Sequence, residues 1–190
     1  MNTDSKYHVD TARVSEESEI ILRAKSNPAA FEPLYNRYFE GIYRFVYQRM
    51  DDIDTAKDIT QMAFIKALEK LNTYEDRGLP FSSWLYRIAY NELTQHFRNN
   101  SKNRCLNIDD AGLDELMEEM QEDRYEPYLD KLVDVLSQLE PENEALIEMR
   151  FFEKRSFKEI AEILDLTETN AKVRLYRLLD KIKLVITRVA

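Results

Sequence analysis

The chain has 190 residues, 44% of them hydrophobic and 33% charged, which is enough apolar material for a folded core and excludes a wholly disordered chain. Three Gly and five Pro stand against roughly thirteen and ten at average usage. Sheet-rich folds draw on both residues at their turns, so an all-α protein is favoured over a sandwich or barrel. A net charge of −9 argues against a free-standing nucleic-acid binder, and the single Cys105 with His8 and His96 excludes a disulfide framework and a Cys/His metal set, so no cofactor or metal is expected.

Residues 1–15 read as a tail with no apolar leader segment. No run approaches eighteen apolar residues, so no membrane insertion is expected and the cytoplasm is the simplest location. The charge is unevenly spread: residues 16–100 carry −2, residues 101–127 carry −6 and residues 128–190 carry −1. Two nearly neutral blocks thus flank an acidic segment, which reads as a linker between two small helical domains, with room for a short helix near Leu113–Met120. A solvated loop within one domain is the other reading.

In the first block, Ser15 is placed to cap a helix, with Glu16 and Glu17 near its positive end. Phe31, Leu34, Tyr35, Tyr38, Ile42, Phe45, Val46 and Met50 recur at spacings of three and four, an amphipathic helix of about five turns. Pro33 requires that this helix begin near Glu32 or bend there. Asp54 is placed to cap the next helix, whose inner positions include Ala56, Ile59, Ala63, Ala67 and Leu71. Gly78-Leu79-Pro80 breaks the chain before a helix that turns Phe81, Leu85, Ile88 and Ala89 inward.

In the last block, Tyr128, Leu132, Val135, Leu136 and Leu139 begin a helix. Pro141 suits the first position of the next, which carries Leu146, Met149 and Phe152. Ser156-Phe157-Lys158-Glu159 forms a capping box before a short helix with Ile160, Ala161 and Leu164 inside. Asp165-Leu166 make a turn, and Thr167 caps the last helix. Two capped helices about a brief turn make a helix-turn-helix. On the last helix Ala171, Leu175, Leu178 and Ile182 share one stripe. Thr169, Asn170, Val173, Tyr176 and Arg177 lie opposite, flanked by Lys172, Arg174 and Lys181. Side chains at the head of such a helix reach base edges, and basic ones hold phosphates. A helical hairpin with a solvated basic face fits the same periodicity.

The motifs also resemble a known family. Leu139, Pro141 and Glu142, then Arg150 to Glu153, Glu159 to Leu164, and Lys172, Arg174, Leu175 and Arg177 are similar to the last region of sigma factors of the extracytoplasmic function type. Asp165 stands where the turn usually has Gly, and Thr169-Asn170-Ala171 where a Gly-Thr-Val run is usual. Ala56 to Phe64 resembles the family's helix that docks on the clamp helices of core RNA polymerase, with Met62 in place of a frequent Glu. Phe81 to Asn91 resembles the helix that meets the −10 promoter element, and Arg98 keeps the Arg of a following Asp-x-x-Arg.

The resemblance implies an alternative sigma factor that is not an enzyme. It implies core polymerase binding through Asp58, Gln61, Met62 and Ile65. It implies −10 recognition and melting through Tyr74, Arg77, Trp84, Arg87, Asn91, Thr94 and Arg98. It implies −35 recognition through Thr167, Thr169, Asn170, Lys172, Val173, Arg174, Tyr176 and Arg177. Core RNA polymerase, promoter DNA and an anti-sigma factor are the implied partners. Unstacked bases suit aromatic and basic groups, although Trp84 as a core anchor and Tyr74 and Arg77 as plain loop residues stay open. A free-standing helix-turn-helix regulator is the alternative function, and it would have no use for a polymerase-docking face.

Overall fold

The structure, a computed structural model, describes residues 11–50, 52–100, 110–120 and 129–187. Residues 1–10, most of the acidic segment, Cys105 and Tyr128 lie outside the described residues. Those described are helical, without a strand among them, and the chain divides into two units, Met1–Cys105 and Leu106–Ala190.

The first unit contains α1 (Thr11–Ser26), α2 (Glu32–Tyr47), α3 (Ile53–Lys70) and α4 (Phe81–Asn100), with 3-10 turns at Pro28–Phe31 and Leu71–Thr73. Ser15 does not cap α1: the helix is already formed at Thr11, so Ser15 lies inside it. Asn27 caps the first 3-10 turn by accepting from the Ala29 amide at 3.2 Å. α2 then starts at Glu32, with Pro33 in its first turn, where a missing N–H leaves no intrahelical bond unmade. Asp54 is not the cap of α3. Asp52 is, accepting from the Thr55 amide at 3.0 Å, and Asp54 falls in the first turn.

The core follows from residue size. Ala56, Ala63 and Ala67 on α3 are fully buried, so that helix approaches Leu34, Ile42 and Val46 on α2 and Leu85, Ala89 and Leu93 on α4. Gly41 leaves α2 open to α4: a Cβ there would stand 2.9 Å from the Tyr86 hydroxyl. Tyr35 is exposed rather than inward. Its ring leans on Phe39 and Phe64 at centroid distances of 5.1 and 4.8 Å. Glu17 is the buried exception, 1% exposed among α1, α2 and the head of α4. It accepts from the Tyr38 hydroxyl, from Arg37 at 3.2 Å and from the Phe81 amide at 3.0 Å.

The second unit contains α5 (Asp110–Glu119), α6 (Leu129–Ser137), α7 (Pro141–Ile147), α8 (Phe157–Leu164) and α9 (Glu168–Thr187). Part of the acidic segment is therefore a helix with its own apolar face: Leu113, Leu116, Met117 and Met120 are buried. Lys154 pairs with Glu115, and Lys183 donates to the Met120 carbonyl at 2.8 Å. α7 opens on Pro141 and runs into a π-helical turn, Glu148–Phe152, whose Glu153 amide reaches back to the Glu148 carbonyl at 2.9 Å. Phe151 and Ile163 are buried, whereas Phe152 and Leu164 are only half-buried.

The capping box of α8 is complete. The Glu159 amide donates to Ser156 Oγ at 3.2 Å, and the Ser156 amide donates to Glu159 Oε2 at 3.0 Å. Asp165 ends α8 in the left-handed region at φ 59° and ψ 44°, and the Leu166 amide bonds the Ala161 carbonyl at 2.8 Å.

Two substitutions test this geometry by urea unfolding. A Cβ at Gly112 would meet Phe152 Cδ1 at 2.2 Å. Gly112→Ala is therefore expected to destabilise the second unit by about 1–3 kcal/mol, and by less when combined with Phe152→Leu. Asp165→Gly relieves a left-handed side chain and is expected to stabilise by up to about 1 kcal/mol.

Candidate functional site

The buried face of α3 holds Ala56, Ile59, Thr60, Ala63, Phe64 and Ala67. The opposite side carries Asp58, Gln61, Met62 and Ile65, all exposed. Met62 is 43% and Ile65 49% exposed, and Leu68, absent from the sequence-based set, is 38% exposed in the same stripe. The spacing of Leu68 from Ile65 was the available signal. Thioether and aliphatic groups edged by a carboxylate and an amide make a mixed face suited to a protein partner rather than to phosphates.

The second group forms at the head of α4. Tyr74 ends a 3-10 turn and packs its ring edge against Phe81 at 5.3 Å and Trp84 at 5.1 Å. Trp84 is half-buried, so it anchors this cluster and still presents surface. Arg77 is exposed on the following loop, 3.9 Å from Glu75. Gly78 takes φ 68°, and Asp76 accepts its amide at 2.8 Å. Hydrogen bonds from the Ser18 hydroxyl and then the Gly78 amide hold the Asp76 carboxyl below its ordinary pKa. A depressed carboxyl favours the folded loop above its unfolded pKa, so the arrangement is fully charged at neutral pH.

Along α4 the polar stripe continues. Arg87 is half-buried and Asn91 exposed. The Thr94 hydroxyl donates to the Tyr90 carbonyl at 2.7 Å, and Arg98 donates to Gln95 at 2.5 Å. The structure thus brings Tyr74 and Trp84 into one aromatic cluster and ranges the other four candidates of the helix below it. Sequence reading missed Glu17, Ser18 and Lys25 of α1, which contact the ends and middle of the loop from Tyr74 to Phe81. No local periodicity could have shown contacts so distant in the chain.

The third group lies on α9. Ala171, Leu175, Leu178, Leu179, Ile182 and Ile186 are buried, while Thr167, Thr169, Asn170, Val173, Tyr176 and Arg177 are exposed. Thr167 Oγ1 accepts from the Asn170 amide at 3.2 Å and so caps the helix. Two of the three basic candidates are paired within the protein: Arg174 contacts Glu142 of α7 at 2.8 Å, and Lys172 contacts Glu168 at 2.9 Å. Although Tyr176 is exposed as a whole, partial desolvation of its phenol, followed by the charge of Glu119, pushes it above its ordinary pKa. The phenol therefore remains a hydrogen-bond donor at neutral pH.

Residues 34–103 match the family Sigma-70 region 2, and residues 129–182 match Sigma-70, region 4. Between them the matches cover well over half of the chain. The chain is 29% identical over 171 residues to the ECF RNA polymerase sigma factor BldN of Streptomyces coelicolor, spanning 88% of this chain and 64% of that relative's length. It is 28% identical over 154 residues to the RNA polymerase sigma factor YlaC of Bacillus subtilis, spanning 78% and 87%. Among solved structures, CnrH in complex with the cytosolic domain of CnrY is similar with a TM-score of 0.57 at 20% identity, covering 95% of this chain and 100% of that one, a likeness of fold. Two matched regions in family order and relatives along most of the sequence lead to one conclusion: the chain belongs to the sigma-70 family, in its extracytoplasmic function group.

Proposed function

We propose that the chain is an alternative sigma factor, which binds core RNA polymerase and directs it to promoters by recognising −35 and −10 elements and promoting DNA melting. The observation that carries this reading is the pairing of two exposed faces with the two matched regions. The stripe of Asp58, Gln61, Met62 and Ile65 belongs to the region 2 match, and the head of α9 belongs to the region 4 match. In this reading α3 docks on core. Tyr74, Arg77, Trp84, Arg87, Asn91, Thr94 and Arg98 handle the −10 element. Thr167, Thr169, Asn170, Lys172, Val173, Arg174, Tyr176 and Arg177 handle the −35 element. The acidity of the chain fits, because the polymerase supplies much of the DNA affinity and the sigma factor supplies choice.

The place of action is the cytoplasm, where the promoters are; no helix among the described residues is long and apolar enough to cross a membrane. Regulation by a protein partner, an anti-sigma factor, is part of the proposal. CnrH, of the same fold, was solved with the cytosolic domain of CnrY. The test of the whole reading is transcription from a promoter library by core polymerase with and without this chain. Recovery of a shared −35 and −10 pair only when the chain is present is the expected result. No dependence on the chain would overturn it.

Two narrower outcomes follow. Asp58→Arg with Gln61→Ala should weaken core binding by about tenfold or more while thermal unfolding stays close to wild type, because exposed substitutions away from packing cost about 0.5 kcal/mol or less. A pull-down at wild-type affinity would remove α3 from the docking face. At the −35 element, Asn170→Ala should alter the ranking of promoters, with a loss of about 1–3 kcal/mol on the preferred site. Arg174→Ala should lower transcription from all of them alike, since phosphate contacts carry no sequence. A randomised −35 element read out by transcription decides between these, and an unchanged ranking with Asn170→Ala together with a changed one with Arg174→Ala would reverse the assignment.

A further inference from the structure

The loop from Tyr74 to Pro80 has no strand or helix to satisfy its backbone, and polar groups in such a segment need other partners. Three contacts from one helix brace the loop, one to a loop carbonyl, one to a loop side chain and one to the first amide of α4 just after it. At the start of the loop, Lys25 Nζ donates to the Tyr74 carbonyl at 3.1 Å. In the middle, Ser18 Oγ lies 2.6 Å from Asp76 Oδ2 and 2.9 Å from the Val14 carbonyl, its one proton favouring the nearer, charged acceptor, and the other oxygen of that carboxylate accepts from the Gly78 amide at 2.8 Å. At the end, Glu17 Oε2 accepts from the Phe81 amide at 3.0 Å. Ser18 and Lys25 are seven residues apart, two turns along one face of α1 and about 10 Å of rise. The helix thus holds the loop at both ends and at its turn.

α1 lies outside the family match, which begins at residue 34. We propose that α1 is a positioning element for the −10 reader: Ser18 and Lys25 hold the Tyr74–Pro80 loop in the shape that receives an unstacked base, without themselves touching DNA. Fixing the Tyr74 carbonyl fixes the backbone from which its ring leans on Phe81 and Trp84. Fixing Asp76 fixes the turn at Gly78 and with it the backbone of Arg77 between them. A loop ordered before binding spends less of its contact energy on ordering during binding. The inference rests on the reading of this loop as the −10 reader, and the experiment separates the two.

The full-length chain is assembled with core polymerase as wild type, Ser18→Ala with Lys25→Ala, Lys25→Arg alone, and Tyr74→Ala. The probe is a fluorescent single strand carrying the non-template −10 sequence recovered from the promoter library, and a series of the same strand with each base replaced in turn. Core affinity and thermal unfolding are measured for each variant. The double variant is expected to bind the probe about tenfold more weakly, as two net hydrogen bonds allow, and to discriminate less among the replaced bases. Its core affinity should stay within about twofold of wild type, and Lys25→Arg should keep most of the probe affinity, since a guanidinium also donates to a carbonyl.

If the double variant matches wild type on the probe series while Tyr74→Ala loses affinity, the loop is the reader and α1 positions nothing. If Tyr74→Ala also matches wild type, the loop is not the reader and the inference falls with that reading. A parallel fall in core affinity and probe affinity for the double variant overturns it as well, because α1 is then a general support of the unit.

Discussion

The first unit depends on one carboxylate taken out of water. Glu17 is 1% exposed, and a charge so placed is costly unless its lone pairs are filled. They are filled by the Tyr38 hydroxyl and Arg37 of α2 and by the first amide of α4. The last of these also sets a negative charge at the positive end of a twenty-residue helix. Because its partners come from two other helices, α1 cannot shift along them without uncovering the charge. The start of α4 is thereby fixed, and Phe81 stands at that start. Its ring meets those of Phe31, Tyr38, Tyr74 and Trp84 at 6.0, 6.3, 5.3 and 5.4 Å. The aromatic cluster that carries the loop therefore takes its position from a polar interaction beneath it.

In the second unit the junctions between successive helices are set by short-range means, beside long-range contacts such as Lys183 to the Met120 carbonyl. The π-helical turn, the left-handed Lys154, the capping box and the left-handed Asp165 occupy residues 148 to 165 and set the directions of successive helices within a few residues of each junction. Each is a backbone solution closed by its own hydrogen bond. α5 adds an apolar face from the acidic segment. Gly112 is where that helix meets Phe152 most closely.

This difference explains what could be read from the residues. The capping box and the inner stripe of α9 depend on spacings of three and four and were legible directly. So was the exposed side of α3, because Asp58, Gln61, Met62 and Ile65 oppose the alanine seam. Caps were legible only as candidates. Asp52 and Asp54 offer the same side chain, and the extended backbone at Asp52 decides between them. In the acidic segment a short helix near Leu113–Met120 was legible, but the linker reading gave it no partner, whereas Leu113, Leu116, Met117 and Met120 are buried. Tyr35 fits the inner stripe of α2 by number, yet sits at its edge, where neighbouring rings cover one face only. The π-helical turn has no periodic signature. From the sequence Glu17 reads only as a helix-end charge, because its partner at Phe81 is sixty-four residues away.

On the proposed reading of α9 as the −35 helix, the pairing of Arg174 with Glu142 of α7 and of Lys172 with Glu168 has a consequence for how DNA would be searched. In that role Arg174 and Lys172 would come to a duplex already paired with Glu142 and Glu168. Each phosphate they took up would displace a carboxylate, so the electrostatic gain would be a difference between two ion pairs. Added salt screens the exposed internal pairs together with the phosphate contacts. The release of counterions, which normally holds a protein to any sequence it meets, is correspondingly reduced. A helix in that role would dwell where its uncharged side chains find matching base edges, and would leave other DNA quickly.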